Sequence, residues 1–302
     1  SAVKQALSMG LSGVSRWGSD IGGYDTIGGD PRLTPELLKR WIAFGAVSGV
    51  MRIKKSGLEI PPYPRPQVWD PGTIGVWRKF AKLHTQLYPY ILAADSHYRR
   101  TGMPLMRALV LQHPRDPRAA QIEDEFMFGP DLLAAPVLRA GARTRRVYLP
   151  RGRWLDARRA LAYDESDGAF HARPAPVLTG PRTVTARARL HDLPLYIRAG
   201  AAIPMLPADV FTLSDYGAGE VVRLADRRGQ MRLLAFPAGR GSWRVEIDGD
   251  MRRRYTLEAA FRACAVALDR RPLARSAWRQ RAGVVTATFT VRRGTVSVRG
   301  CG

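Results

Sequence analysis

The run Leu11-Ser-Gly-Val-Ser-Arg-Trp-Gly-Ser-Asp-Ile-Gly-Gly-Tyr24 places an indole, a carboxylate and a glycine pair within one short stretch. Trp17 offers a flat apolar face on which a ring can stack. Asp20 can accept hydrogen bonds from hydroxyl groups. Gly22 and Gly23 let the backbone turn sharply beside that carboxylate. Such a trio suits a polyhydroxylated ring. Each residue also has a plainer reading, with Asp20 as a helix or loop cap and Trp17 as a plug in a core. The trio lies close to Ser1, and the first nine residues read as the middle of a helix. An N-terminal truncation is therefore expected, with part of any site lying upstream.

The elements that must hold these residues read as α/β over the first hundred positions. Leu7–Ser15 is apolar and leads into the Asp20 stretch, and a glycine-rich loop follows over Gly22–Asp30. Thr34, Pro35 and Glu36 form a helix start: a hydroxyl cap, proline in the first turn and an early acid. Leu37, Leu38, Trp41, Ile42 and Gly45 then recur at helical spacing. Gly49–Arg52 reads as a short buried strand, Ser56–Pro66 as a loop with four prolines, and Trp77–Arg100 as one long helix kinked at Pro89.

From Gly102 the period changes from 3.6 to 2. Expected strands are Pro104–Leu111, Asp131–Leu138, Arg146–Pro150, Thr183–Leu190, Leu195–Gly200 and Ala201–Met205. Weaker ones follow at Val221–Leu224, Met231–Phe236, Trp243–Ile247, Arg253–Leu257, Val284–Val291 and Thr295–Val298. Short strands punctuated by Gly and Pro point to an antiparallel sandwich and then a smaller β domain.

Composition narrows the function classes. The 302 residues carry a formal net charge of +22. Lys stands only at 4, 39, 54, 55, 79 and 82, and Asn is absent. This bias fits a GC-rich coding sequence, and the arginines are spread along the chain rather than gathered in a block, so a nucleic-acid partner is not expected. No apolar run reaches the ~20 residues of a membrane span, and no signal peptide is evident. Cys264 and Cys301 match no metal spacing and are expected to be two unpaired thiols in a reducing, cytoplasmic setting. The five histidines show no ligand spacing, so no metal site is expected. The pairs Gly22–Gly23 and Gly28–Gly29 lack the lysine and hydroxyl of a phosphate loop.

Several ordered motifs resemble the C-terminal part of glycoside hydrolase family 31, the α-glucosidase and α-xylosidase family. Trp17-Gly-Ser-Asp20-Ile-Gly-Gly-Tyr24 resembles its seventh barrel strand. Pro35–Trp41 and Phe44–Arg52 resemble the following helix and the eighth strand, and Leu87–Ile91 resembles the last barrel helix. Phe128–Val137, Arg146–Asp156 and Pro194–Pro204 resemble the proximal β-sandwich. The likeness covers residues 8–206; residues 207–302 are assigned as a distal β domain by position alone.

The resemblance implies α/β plus all-β architecture: the C-terminal part of a (β/α)8 TIM barrel over 1–102, a proximal β-sandwich over 103–206 and a smaller distal β domain over 207–302. It implies retaining hydrolysis of terminal α-linked sugars by two carboxylates about 5–5.5 Å apart, with no cofactor. In the family both aspartates lie upstream of the first motif here, so this chain alone is expected to be inactive. The alternative is a non-catalytic carbohydrate-binding or structural module. Asp20 resembles the family's substrate-binding aspartate, and Trp17 would line the same pocket. Arg52 ends the eighth strand, where a substrate contact and an ion pair with a barrel carboxylate are equal rivals. At Lys54 the family commonly has a substrate-binding histidine; the lysine either points away or selects a sugar bearing an acid group. Trp69 and Asp70 either rim the pocket or serve packing. The expected ligand is an α-linked oligosaccharide or glycoside.

Overall fold

The computed structural model describes all residues except 28–31, 55–58, 61, 215–220, 240 and 302. The glycine pair at 28–29 and part of the proline-rich loop lie outside the described residues. The chain divides into two compact units. The first comprises Ser1–His84, Ile91–Gly152 and Gly180–Tyr196. The second comprises Thr85–Tyr90, Arg153–Thr179 and Ile197–Gly302.

Unit 1 begins with α1 (Ala2–Leu11), β1 (Gly18–Ile21), the two-residue β2 (Thr26–Ile27), α2 (Pro35–Gly45), β3 (Val50–Ile53) and β4 (Glu59–Ile60). β1 and β3 pair in parallel with Gly18 opposite Val50 and Asp20 opposite Arg52. The helix between them starts as the sequence indicates, since Thr34 Oγ1 accepts the Leu37 amide at 3.1 Å. The buried side of α2 includes Leu38, Ile42 and Phe44. Trp41 Nε1 donates to Ser19 Oγ at 2.7 Å. Strand alternation then sends Ser19 and Ile21 toward α2 and Gly18 and Asp20 to the other face. This β1-α2-β3 unit is the strand–helix–parallel-strand arrangement of a (β/α)8 barrel.

The expected long helix is broken in two: α3 (Ile74–Gln86) and α4 (Tyr88–Thr101). Pro89 lacks an amide and its ring crowds the preceding turn, so the helix breaks at Leu87 and restarts at Tyr88 rather than bending through it. Beyond α4 come β5 (Met106–Ala108), α5 (Leu109–Gln112), β6 (Phe126–Phe128), β7 (Leu132–Ala134) and β8 (Thr144–Asp156). The run Pro104–Leu111 is thus strand for only three residues before turning helical. With β11 (Val177–Arg187) and β12 (Leu195–Arg198) these strands make a six-stranded sheet in the order β11-β8-β12-β7-β6-β5. Phe126, Met127, Phe128, Leu132 and Leu133 are almost fully buried in it.

Arg40 joins α2 to the sandwich within unit 1. Its guanidinium donates to the carbonyls of Ala142, Ala188 and Arg189 at 2.7–2.9 Å. Burial lowers its pKa, and the nearby Glu36 carboxylate works against that. Removing one partner of so buried a charge is strongly destabilising, which makes Arg40 a fixed joint rather than a surface cation.

Unit 2 contains α6 (Ala157–Ala160), β9 (Leu161–Asp164), β10 (Ala169–Ala172) and the remaining strands: β13 (Ala202–Met205), β14 (Gln230–Ala235), β15 (Ser242–Ala259), β16 (Ala263–Leu268), β17 (Arg271–Pro272), β18 (Trp278–Arg281) and β19 (Val284–Gly300). They form a seven-stranded sheet in the order β13-β14-β15-β19-β16-β17, with β18 on β19. The weak strands expected at 243–247 and 253–257 are one 18-residue strand whose register shifts between Asp248 and Arg253. Likewise 284–291 and 295–298 are one strand. A bulge let one continuous strand read as two, because it interrupts the alternation without ending the pairing. Val221–Leu224 is not a strand; it contributes only a bridge between Thr212 and Arg223. Trp243, Tyr255, Leu257, Trp278, Phe289 and Val298 are among the core residues.

The two cysteines are bonded to each other, which corrects the expectation of free thiols. β16 and β19 pair antiparallel, with Ala263 opposite Gly300 and Ala265 opposite Arg299. Cys264 is the extra residue at that irregularity and meets Cys301 with 5.0 Å between Cα atoms. A separation of 37 residues concealed in the sequence what the sheet register brings together.

Candidate functional site

The C-terminal ends of β1 and β3 carry the candidate site. Asp20 and Arg52 are register partners, and Arg52 Nε meets Asp20 Oδ1 at 2.8 Å. The carboxylate is 22% exposed and the guanidinium 61%. An ion pair this open is worth little for stability, about 0–1 kcal/mol. Its significance is geometric: the Arg52 guanidinium fixes the orientation of the Asp20 carboxylate at the strand ends. One step earlier on the same face, a Cβ at Gly18 would stand 2.4 Å from the Val50 carbonyl oxygen, so only glycine lets the two strands approach there.

After β1 the chain turns through Gly22 and Gly23, both at positive φ (95° and 82°). The Gly23 amide closes the turn on the Asp20 carbonyl at 2.8 Å. Arg65, from the proline-rich loop, donates to the Gly22 carbonyl and, at 2.5 Å, to that of Gly23. Tyr63 of the same loop accepts the Leu33 amide at 2.9 Å through its hydroxyl. Two side chains of the proline-rich loop thus tie down both ends of the segment after Asp20. The sequence reading missed Arg65 and Tyr63, which carry no spacing signal; their partners are remote in the chain.

Lys54 follows β3 and faces Tyr24. Its ammonium sits 4.0 Å from the centroid of the Tyr24 ring, a cation–π arrangement that holds the charge near the strand end. The Lys54 amide donates to the Ile21 carbonyl at 3.4 Å, so lysine and carboxylate strand are linked through the backbone too. Trp17 is half-buried and its ring meets Phe44 at 5.9 Å, which in turn meets Phe126 edge-on at 6.1 Å. The Trp17 carbonyl accepts the amides of Gly49 and Val50. Trp17 thus anchors the base of the site to the core of unit 1. Trp69 is half exposed, whereas the Asp70 carboxylate accepts the Gln67 amide within its own turn.

The approach to β1 is set by charge. Arg16 donates to Asp95 through Nε and Nη2, at 2.7 and 2.6 Å, and Arg99 adds a third contact at 3.1 Å. The Arg16 hydrogen bond, with help from Arg99, holds the Asp95 carboxyl down at about 2. No group of three or more His, Cys, Asp or Glu with metal-site geometry occurs among the described residues. Among the described residues no helix is long and apolar enough to cross a membrane.

Two parallel strands with an outer helix, polar residues at the C-terminal strand ends and a following β-sandwich fit the closing segment of a (β/α)8 barrel. Residues 1–94 match the model of the glycosyl hydrolases family 31 TIM-barrel domain, and residues 102–203 match that of the family's C-terminal domain. The chain belongs to glycoside hydrolase family 31. It is 30% identical to an isomaltosyltransferase of Sporosarcina globispora over 68% of this chain and 18% of that protein. It is 34% identical to a sulfoquinovosidase of Agrobacterium fabrum over 50% of this chain and 22% of that protein. The chain thus spans about a fifth of the length of these relatives. In structure it resembles the cycloalternan-forming enzyme from Listeria monocytogenes, with a TM-score of 0.75 at 22% identity, over 99% of this chain and 30% of that one. That likeness extends the shared fold to the sheet beyond residue 206.

Proposed function

We propose that this chain supplies the last part of the catalytic barrel and the β domains, divided as 1–102, 103–206 and 207–302, of a retaining α-glycosidase. The observation that carries the reading is the register pair Asp20–Arg52 at the C-terminal ends of adjacent parallel strands, where barrel enzymes assemble their sites. Asp20 accepts hydroxyls of the bound sugar, Arg52 orients that carboxylate, and Trp17, packed on Phe44, supports the strand from behind. The nucleophile and the acid/base are two carboxylates on barrel segments preceding residue 1. They act from opposite sides of the scissile bond: one attacks the anomeric carbon and the other protonates the leaving oxygen, then withdraws a proton from the incoming acceptor. Water as acceptor gives hydrolysis; a sugar hydroxyl gives transfer, the chemistry for which the Sporosarcina relative is named.

The experiment is turnover of nitrophenyl α-glucoside by the protein encoded by the whole reading frame around this chain, with the product anomer followed by NMR. Retained α configuration supports the reading; inversion or an inert protein removes it.

Lys54 supports a finer reading, selection of an α-glycoside that bears an acid group. Its ammonium is held over Tyr24 beside the strand ends, and a relative 34% identical to the chain is a sulfoquinovosidase. Lys54→Ala should then depress kcat/KM at least tenfold more on an acidic than on a neutral α-glycoside. Equal losses on both would eliminate charge selection. A cytoplasmic location rests on composition alone, and the Cys264–Cys301 bond counts against it, since a cytosolic thiol pool keeps such pairs reduced. Alkylation of thiols at the moment of lysis discriminates: two modified cysteines support the cytoplasm, and none excludes it.

A further inference from the structure

Unit 2 contains a cleft of about 820 Å³ that the glycosidase reading leaves unused. Its lining includes Arg173, Pro174, Pro176, Pro237, Arg262 and Cys301, and no acidic side chain among the described residues. Neither guanidinium makes an ion pair among the described residues. Some other arginines of unit 2 do pair with carboxylates, among them Arg223 with Asp226, Arg227 with Asp209, Arg232 with Glu258 and Arg293 with Asp248. Two guanidinium groups share one concave surface whose lining holds no carboxylate, with Asp164 beyond the lining acting on Arg173, and they make a positive focus whose low-dielectric walls strengthen attraction for an anion.

The backbone that carries these groups is fixed. The Arg173 amide donates to the Ala160 carbonyl at 2.8 Å, and prolines at 174 and 176 restrict the strap that follows. The Arg262 carbonyl accepts the Cys301 amide at 3.2 Å, and Cys301 is bonded to Cys264, two residues beyond Arg262. Only the side chains remain to adapt, so little ordering is needed on binding. Guanidinium groups match the paired oxygens of carboxylate, sulfate and phosphate, and the volume falls within the roughly 300–1,000 Å³ range of small-molecule sites.

We propose that this cleft is a binding site for an organic oxyanion: a carboxylate, sulfate or phosphate ester on a body of saccharide size, held by Arg173 and Arg262 and pre-shaped by the Cys264–Cys301 bond. The proposal stands independently of the glycosidase reading. It is tested by calorimetric titration of the protein encoded by the whole reading frame with glucuronate, glucose 6-phosphate, glucose and inorganic phosphate at physiological salt. Saturable binding of glucuronate or glucose 6-phosphate is expected, at least tenfold tighter than glucose or inorganic phosphate. Arg173→Ala and Arg262→Ala should each weaken it tenfold or more. Arg252→Ala, an exposed arginine outside the cleft, should leave it unchanged, and reduction of the disulfide should weaken it severalfold. Inorganic phosphate binding as tightly would show an adventitious ion only and overturn the proposal. So would binding insensitive to both cleft variants, equal loss in Arg252→Ala, loss in Asp20→Ala instead, or no saturable binding of any probe. Unchanged affinity after reduction would overturn the pre-shaping by the bond.

Discussion

The paired strands β1 and β3 and the paired strands β15 and β19 are opposite solutions to the same geometry. β1 and β3 have four residues each, and one face of the pair carries an exposed ion pair. β15 and β19 run for 18 and 17 residues and bury an aromatic core in which Tyr255 stacks on Phe289 at 5.6 Å. The long pair holds itself together through its own side chains. The short pair relies on what surrounds it: Trp41 from α2, Phe44 behind Trp17, Arg65 on the turn. A strand that leaves one face polar for a ligand needs its stability supplied by neighbours.

The sharpest way to break this comparison is to remove a core ring from the long pair. Phe289→Ala should destabilise unit 2 by about 3–5 kcal/mol, read as a lower denaturation midpoint, because it removes a buried ring and leaves a cavity. A loss under about 1 kcal/mol would mean the long pair is not self-supporting. Asp20→Ala should do the reverse: lower kcat/KM of the whole enzyme on the order of 10²–10³-fold, about 3–4 kcal/mol, while shifting the melting midpoint little. A large stability loss with unchanged activity would make Asp20 a structural residue.

Protonation provides a third test. Burial raises the Glu125 carboxyl to about 7, although the Tyr148 amide and Arg145 favour its charged form. An acid whose pKa is higher folded than unfolded favours folding when protonated, so the stability is present below about 4.5 and lost as pH rises through about 7. The difference is on the order of 3 kcal/mol, and Glu125→Gln should flatten it in unfolding measured from pH 5 to 8. His171 adds to the same trend in unit 2. Its ring nitrogens meet Glu258 at 3.1 Å and Asp167 at 2.9 Å, which raises its pKa, so its contribution also fades as pH rises. Asp95 acts oppositely, its stabilising charge being lost as pH falls through about 2. The smallest effect is at the α2 cap, where Thr34→Ala should cost about 1 kcal/mol, visible as a small drop in melting midpoint.

Much of the site was legible early. Asp20 and Arg52 were identifiable as strand-end residues, and the rival reading of Arg52 as the partner of a barrel carboxylate is what the structure shows, the carboxylate being Asp20 itself. Lys54 was recognised as a departure, yet its seat over Tyr24 was not. Arg65 and Tyr63 were passed over because a loop without periodicity offers no sign of where its side chains reach.

Local chemistry along the chain determined where α2 starts, that the period changes after Gly102, and which motifs mark the barrel's last strands. Those features depend on neighbours a few residues apart, whose preferences are written in order along the backbone. Tertiary structure alone decided the Cys264–Cys301 bond, the union of four weak strands into β15 and β19, and the acid-free cleft between prolines and arginines. Each depends on pairing register or on residues tens of positions apart meeting in space, and a linear pattern carries no measure of that distance.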